Sequence, residues 1–511
     1  MTILKRKERD LNKITLKTLL LYPPGSPRHN ICPLLSISQL HAFLKSRGYS
    51  GLVVEDLSKP SKMYQYFGRL SDLIPRKFYP FLKYILSSIT KKIIQYQSSR
   101  TPSPDIITSS LDAIITSAIQ YEGERVNKYY NYAANLIKND NIRIVGFSVF
   151  YPIQLYYSLI LAKLLKMSHK HLFIIIGGVL ITKHAAILSK NTELCKFIDG
   201  FIIFDGEEPL AELIYQLEHS HDFSKIPNLY FKNGNGTCTR TPDTFHANAD
   251  YIFEPIFKDA SRYSALPIRT SYGCPWGRCT FCTYRLLHQQ FSQGTVENIV
   301  TMIKNLQYKY TISKFRIIDD FLTPRFLKEF SDTLVKEHVT IQWWTYLALL
   351  PGLNESIIQS MAQSGCSQVI VGLESMSSRI LKLMGKPHIP EDAKRIFRIL
   401  KKVGIEIIVD VIFGFPTETQ QEASMTLDFL INNKELYDFV VMQPFCLEEG
   451  TTVFNEPDKF GITKIFYEDK HGVAIKWDRL GYRYEVHAGM GQQESKAFTE
   501  KAKAILKYRC F

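Results

Sequence analysis

The sequence predicts an α/β protein in two successive parts, an open parallel sheet and then a partial β/α barrel. Two observations lead there. Short runs of β-branched and other apolar residues alternate with segments of helical spacing over residues 14–225, and again over 266–450. That is the pattern of parallel strands covered on both faces by helices. The chain's 511 residues also suffice for roughly two to four domains, each with its own core.

In the first part, residues 15–22 (TLKTLLLY) read as a buried strand ending in the loop Pro23-Pro24-Gly25. Residues 34–48 have helical spacing and stop at a glycine, as helices often do. Further strands are expected at 52–55, 142–148, 172–178 and 201–204, with helices at 155–165 and 209–217. Residues 58–140, rich in Tyr, Lys and Ser, read as a helical insertion with a mobile stretch near 98–105. Residues 226–265 read as a connector carrying a hairpin, 227–231 and 237–240 around Asn233-Gly234-Asn235-Gly236.

The second part repeats the alternation. Strands are expected at 269–271, 315–318, 342–346, 368–372, 405–413 and 439–445, with helices at 293–308, 325–337, 354–364 and 391–403 among them. Six such units suit a β/α barrel or part of one, whose chemistry sits at the C-terminal ends of its strands. Residues 451–511 form an extension with a helix near 493–506.

Composition excludes several classes. With 45% hydrophobic and 22% charged residues the chain is neither disordered, collagen-like nor a coiled-coil rod. A net charge of +14 admits an anionic partner, nucleic acid or an acidic membrane face, but names none. The longest apolar run, 172–182, is broken by a glycine pair and falls short of the roughly 18 residues a spanning helix needs, so no membrane span is expected. No signal-type cleavage site is visible, and nine cysteines are too few for a disulfide scaffold. The expected location is the cytoplasm, with reduced thiols.

Residues 269–284 (RTSYGCPWGRCTFCTY) carry the densest chemistry. Cys274, Cys279 and Cys282 fall within nine residues just beyond a predicted strand, too close together for packing alone. They could hold three irons of a [4Fe–4S] cluster and leave the fourth open, or bind zinc with His288 as a fourth ligand. The surrounding barrel favours the cluster, since a zinc knuckle needs no such unit around it. Cys32, Cys195, Cys238, Cys366, Cys446 and Cys510 are scattered and read mostly as small buried hydrophobes.

The segment resembles the cluster loop of the radical S-adenosylmethionine (SAM) superfamily, C-x3-C-x2-C with an aromatic before the last cysteine. Phe281 fills the aromatic position, and the first gap is one residue longer, C-x4-C. Gly372-Leu373-Glu374-Ser375 with Met384-Gly385-Lys386 is similar to the family's fourth-strand segment, 410–419 (DVIFGFPTET) to its fifth, and Ile317-Ile318-Asp319-Asp320 to the end of its second. The first part resembles the cobalamin-binding domain, Rossmann-like (flavodoxin-like) in fold, that precedes the barrel in one large subgroup. The matching pieces are Tyr22-Pro23-Pro24, 40–48, Val145 to Ser148 with Gln154, Ile176-Gly177-Gly178 and Asp205-Gly206-Glu207-Glu208-Pro209. No D-x-H-x-x-G motif offers cobalt a histidine.

The resemblance implies three cofactors: a [4Fe–4S] cluster on Cys274, Cys279 and Cys282, SAM chelating its open iron, and cobalamin in the first part. An external electron donor is implied as well. Glu374 and Ser375 would hydrogen-bond SAM, or cap the next helix. Gly414 would let the backbone approach beneath adenine, or simply turn the chain into a helix capped by Thr417. Ser148, Gln154, Gly177, Gly178, Gly206 and Glu207 would face the cobalamin, or serve packing and capping. Asp319 and Asp320 could point into the barrel mouth, and Trp343, Trp344 and Tyr346 could wall a pocket. The expected reaction is methylation of an unactivated carbon in a peptide or natural-product precursor. Cyclisation or rearrangement with the same cofactors, and a zinc-stabilised nucleic-acid binder, are the alternatives; no recognised RNA-binding motif appears, which argues against nucleic acid as a partner.

Overall fold

The computed structural model describes residues 11–24, 32–58, 111–124, 126–233, 238–244, 252–287, 291–467, 476–477 and 481–506. The chain divides into two compact units, split within 263–264 for the described residues.

The first unit is a seven-stranded sheet. Five parallel strands, β1 (Lys17–Tyr22), β2 (Leu52–Asp56), β3 (Ile142–Ser148), β4 (Phe173–Gly177) and β5 (Gly200–Ile202), lie in the order β2-β1-β3-β4-β5. Helices α1 (Leu35–Ser46), α2 (Leu111–Ile119), α3 (Asn127–Asp140), α4 (Pro152–Ser168), α5 (Val179–Leu188) and α6 (Glu207–Glu218) connect and cover them. Fully buried Leu19, Leu21, Ile144, Val145, Ile174 and Ile176 fill the strands, so hydrophobic burial on both faces drives the layering. The hairpin is not a separate connector. Its strands β6 (Leu229–Lys232) and β7 (Cys238–Arg240) extend the sheet antiparallel beyond β5. Only its turn at 234–237 lies outside the described residues, as do 98–105 and the rest of 59–110.

In the second unit six parallel strands stand in the order β15-β14-β13-β12-β11-β8. They are β8 (Leu266–Ile268), β11 (Lys314–Ile317), β12 (Gln342–Leu347), β13 (Cys366–Glu374), β14 (Glu406–Phe413) and β15 (Phe439–Pro444). Helices α8 (Val296–Tyr310), α9 (Pro324–Lys336), α10 (Glu355–Gln363), α11 (Ser378–Leu383), α12 (Pro390–Lys402) and α13 (Gln420–Asn432) alternate with them; the four-residue α7 (Tyr284–Leu287) follows the cysteines. Among the described residues β8 and β15 remain edges, so the barrel is partial.

The first barrel strand lies three residues earlier than the sequence suggests. Thr270 and Ser271 donate their backbone N–H groups to the buried Asp319 carboxylate at 2.9 and 2.6 Å, instead of to a parallel neighbour. The chain there forms β9 (Ser271–Tyr272), paired antiparallel with β10 (Ser292–Gln293). Asp319 is therefore a structural anchor for this corner rather than a group facing the barrel mouth.

The extension is a three-stranded antiparallel sheet, β16 (Ile462–Phe466), β18 (Gly481–Val486) and β17 (Lys476–Trp477), with α14 (Thr452–Asn455) and α15 (Gln492–Ile505). It shares a core of Met384, Phe415, Phe445, Val453, Phe460 and Tyr484 with the barrel.

Candidate functional site

Cys274, Cys279 and Cys282 follow β9 on one loop, all free thiols and none fully exposed. The loop is held by the last residue of α11 and the two that follow it. Thr280 donates its N–H to the Met384 carbonyl at 2.9 Å and its hydroxyl to Leu383 at 2.8 Å. Trp276, inside the lengthened first gap, donates its indole N–H to the Gly385 carbonyl at 2.8 Å, and Arg278 lies over the Trp276 ring. From the extension, Val453 donates to the Thr280 carbonyl. Gly385 has φ +69°, and a Cβ there would stand 2.3 Å from the Arg278 carbonyl oxygen. Only a glycine lets the two backbones meet this closely.

Phe281 packs against the core shared by barrel and extension, which anchors the loop between two cysteines. The Tyr284 N–H donates to Cys282 Sγ at 3.4 Å. Burial pushes the Cys279 and Cys282 thiols up, with neighbouring cysteines adding to the effect.

The donor set fits a [4Fe–4S] cluster. All three donors are thiols on one rigidly braced loop, close enough to influence one another, and soft thiolates are the ligands such clusters take. Among the described residues no three His, Cys, Asp or Glu side chains are gathered closely enough to hold a metal ion. A cuboidal cluster asks each thiolate for a different iron. His288, the fourth zinc ligand expected from sequence, lies outside the described residues.

Glu374 ends β13 with φ +61°, a conformation rare for a residue with a side chain. It caps no helix. Its carboxylate meets Lys386 Nζ at 3.0 Å, both side chains largely buried. Burial disfavours the Lys386 charge, but Glu374 and then Cys279 outweigh it and raise its pKa. Asp410, opposite Gly372 on β14, is pushed up to about 7 by burial and by the Glu374 charge. Tyr346 on β12 lies close to Arg316 on β11 and to Asp410 on β14. Sequence reasoning missed Lys386, Asp410 and Arg316 as a polar group. For Asp410 and Arg316 the available signal was a charged residue inside a barrel strand; Lys386, in the loop after α11, carried none.

Other expected residues have local duties. Ser375 is fully buried, and its hydroxyl accepts from the Ser377 N–H and lies 3.4 Å from Thr426 Oγ1. Ser377 is the cap of α11. Gly414 has φ +74°, and a Cβ there would stand 2.0 Å from Ser495 Oγ on α15. The extension is thus what approaches this glycine in the structure. The helix beyond it is capped by Thr419 with Glu422, not by Thr417. Trp343 is fully buried under the helices, its N–H bonded to the Ser364 carbonyl, while Trp344 and Tyr346 take the other face of β12.

In the first unit the strand order reverses direction between β1 and β3. In open α/β sheets of this order the ligand crevice lies at the carboxyl ends of those strands. Tyr22-Pro23 and Ser148-Val149-Phe150 stand there. The Phe150 ring is half-exposed there, and a Cβ added at Gly177 would come into ordinary contact with Ile202 of β5, 3.4 Å from its carbonyl oxygen. Ser148 lies 3.2 Å from the Ser36 hydroxyl. Gln154 is buried and accepts the N–H groups of Phe150 and Tyr151, holding the start of α4. Gly178 (φ +106°) is required by Val149, whose carbonyl would stand 2.5 Å from a Cβ. Gly206 and Glu207 begin α6, and the adjacent Glu208 pairs with Arg47 at 2.9 Å.

Residues 268–430 match the Radical SAM superfamily. An uncharacterized methyltransferase of Pyrococcus horikoshii is 27% identical over 305 residues, covering 58% of this chain and 65% of that protein. The bacteriochlorophyllide d C-12(1)-methyltransferase of Chlorobaculum tepidum is 26% identical over 293 residues, covering 55% and 59%. The chain thus spans less than two thirds of the length of these relatives. Among solved structures, the radical SAM methyltransferase TsrM of Kitasatospora setae, with cobalamin and a [4Fe–4S] cluster bound, superposes with a TM-score of 0.66 at 15% identity, over 97% of this chain and 91% of that one. The likeness covers both units and shows a shared fold.

Proposed function

Starting from the radical SAM domain formed by residues 268–430, we propose that the protein is a cobalamin-dependent radical SAM enzyme that methylates an unactivated carbon. One observation carries the reading: three free thiols on a braced loop, Cys274, Cys279 and Cys282, beside the buried Glu374–Lys386 pair at the end of a barrel strand. The match to the superfamily sets aside the zinc-stabilised nucleic-acid binder.

Cys274, Cys279 and Cys282 would hold the cluster. When bound, the cluster, SAM and cobalamin would together supply an electron, a 5′-deoxyadenosyl radical and a transferable methyl group. The protein's own residues hold and shield. Glu374, fixed by Lys386, offers a preorganised acceptor next to the thiols. Asp410, whose pKa lies near neutrality, can give or take a proton inside the barrel. Trp344 and Tyr346 on the inner face limit water. In the first unit, Ser148, Phe150, Gly177, Gly178, Gly206 and Glu207 would border the cobalamin, with Gln154 fixing the loop that carries Phe150. A peptide or natural-product precursor is the proposed substrate, with an external electron donor. A reducing cytoplasm suits the free thiols, and among the described residues no helix is long and apolar enough to cross a membrane.

Anaerobic reconstitution with iron, sulfide, hydroxocobalamin and SAM tests the reading. With reductant, the protein is expected to form 5′-deoxyadenosine, and S-adenosylhomocysteine only when cobalamin is present. With substrate, the product gains one methylene. A product of unchanged mass would instead indicate rearrangement.

A further inference from the structure

Cys195 and Cys238 are distant in sequence, yet their Sγ atoms lie 3.3 Å apart. Cys195 sits in the single helical turn Leu194–Lys196 between α5 and β5, and Cys238 opens β7. Cys195 is buried, its thiol reaching the Ser189 carbonyl at 3.6 Å, while Cys238 is half-buried at the sheet edge. A disulfide closes at about 2.05 Å between sulfurs, so roughly 1 Å of side-chain movement separates the two states. The separation is not that of cysteines packed apart as independent hydrophobes.

We propose that Cys195 and Cys238 are an oxidisable dithiol, a modification site that converts to an intramolecular disulfide and pins the edge strand β7 to the turn preceding β5. The oxidant class is a small disulfide. Cys238, the more accessible thiol, attacks as its thiolate and releases one small thiol, leaving a mixed disulfide. Cys195 then attacks the Cys238 sulfur and releases the second. Two protein thiols are oxidised to one disulfide, and the small disulfide is reduced to two thiols, which carry away the two hydrogens. Burial and the Cys195 thiol push Cys238 up to about 12, so exchange is slow at neutral pH and the dithiol persists in a reducing cell.

The test uses the full-length protein, reconstituted anaerobically with its cluster and incubated with excess oxidised glutathione. The protein is then denatured, alkylated and digested without reductant. The expected result is one cross-linked peptide pair joining Cys195 to Cys238, reversed by dithiothreitol and absent from Cys238→Ala and Cys195→Ala. Recovery of both residues as alkylated peptides, as stable glutathione adducts, or cross-linked to other cysteines overturns the proposal. The readout on the unmodified sequence stands even if a variant folds poorly.

Discussion

Lys386 places its ammonium 3.0 Å from the Glu374 carboxylate, with neither side chain more than 14% exposed. They stand twelve positions apart in the chain with a helix between them, and both border the cysteine loop through Gly385 and Cys279. The pair gives the Glu374 carboxylate a cationic partner at the end of a barrel strand, near Asp410.

Removing one partner should leave the other buried without its counter-ion. Lys386→Met is expected to destabilise the second unit by about 3–5 kcal/mol, the usual cost of breaking such a pair. Adding Glu374→Gln should recover much of that loss. Urea denaturation followed by tryptophan fluorescence measures both, and equal stability of the single and double variants would argue against the pair.

Gly385→Ala attacks the loop from behind. The new methyl would collide with the Arg278 carbonyl in a left-handed backbone position, at an expected cost of about 2–3 kcal/mol. The three hydrogen bonds that Thr280 and Trp276 make to residues 383–385 should loosen with it. Iron bound per chain after reconstitution should fall well below the parent value while far-UV circular dichroism changes little. Full iron retention would show that the brace is dispensable.

Stability should also depend on pH through Glu418 and Asp410. Burial pushes Glu418 up to about 8 and Asp410 up to about 7 in the folded protein. Each folded group therefore holds its proton over a range where the unfolded chain has released it. Their contribution is fully present below about pH 4, is lost progressively as pH rises, and is gone above about pH 8. Glu418→Gln cannot ionise, so it should flatten this decline and raise the melting temperature by a few degrees at pH 8.5, a gain of about 1–3 kcal/mol. Parallel pH profiles for variant and parent would contradict the assignment.

At Gly414, packing and ligand contact can be separated. Gly414→Ala should be strongly destabilising because the added methyl meets Ser495 Oγ, and Gly414→Ala with Ser495→Gly should regain part of the stability, the left-handed strain remaining. If the glycine also lies against SAM, the double variant still binds SAM weakly, measured by equilibrium dialysis. Normal SAM binding in the double variant would leave Gly414 with packing alone.

The parallel strands were legible because burial on both faces makes them near-continuous apolar runs, as in Phe173–Gly177 and, apart from Arg143, Ile142–Ser148. The cysteine loop was legible because its three donors are local in sequence. What sequence concealed was long-range. Nothing in residues 451–511 announces that Val453 holds Thr280, that Ser495 bonds the Phe413 carbonyl at 2.7 Å, or that Tyr484 reaches Gly414. Local patterning also hid the competition at Thr270 and Ser271, where a carboxylate takes the N–H groups a strand would use. Gln154 and Gly178 look like ligand residues by position, and their packing duties become visible only with Tyr151 and Val149 beside them.

The most direct measurement is 5′-deoxyadenosine formed from SAM under strong reductant by the parent chain and by Cys274→Ala, Cys279→Ala and Cys282→Ala, each reconstituted identically. The parent should release the nucleoside and all three variants should release essentially none, with their iron content reduced. Undiminished release from any of the three would mean that these sulfurs do not hold the reactive cluster.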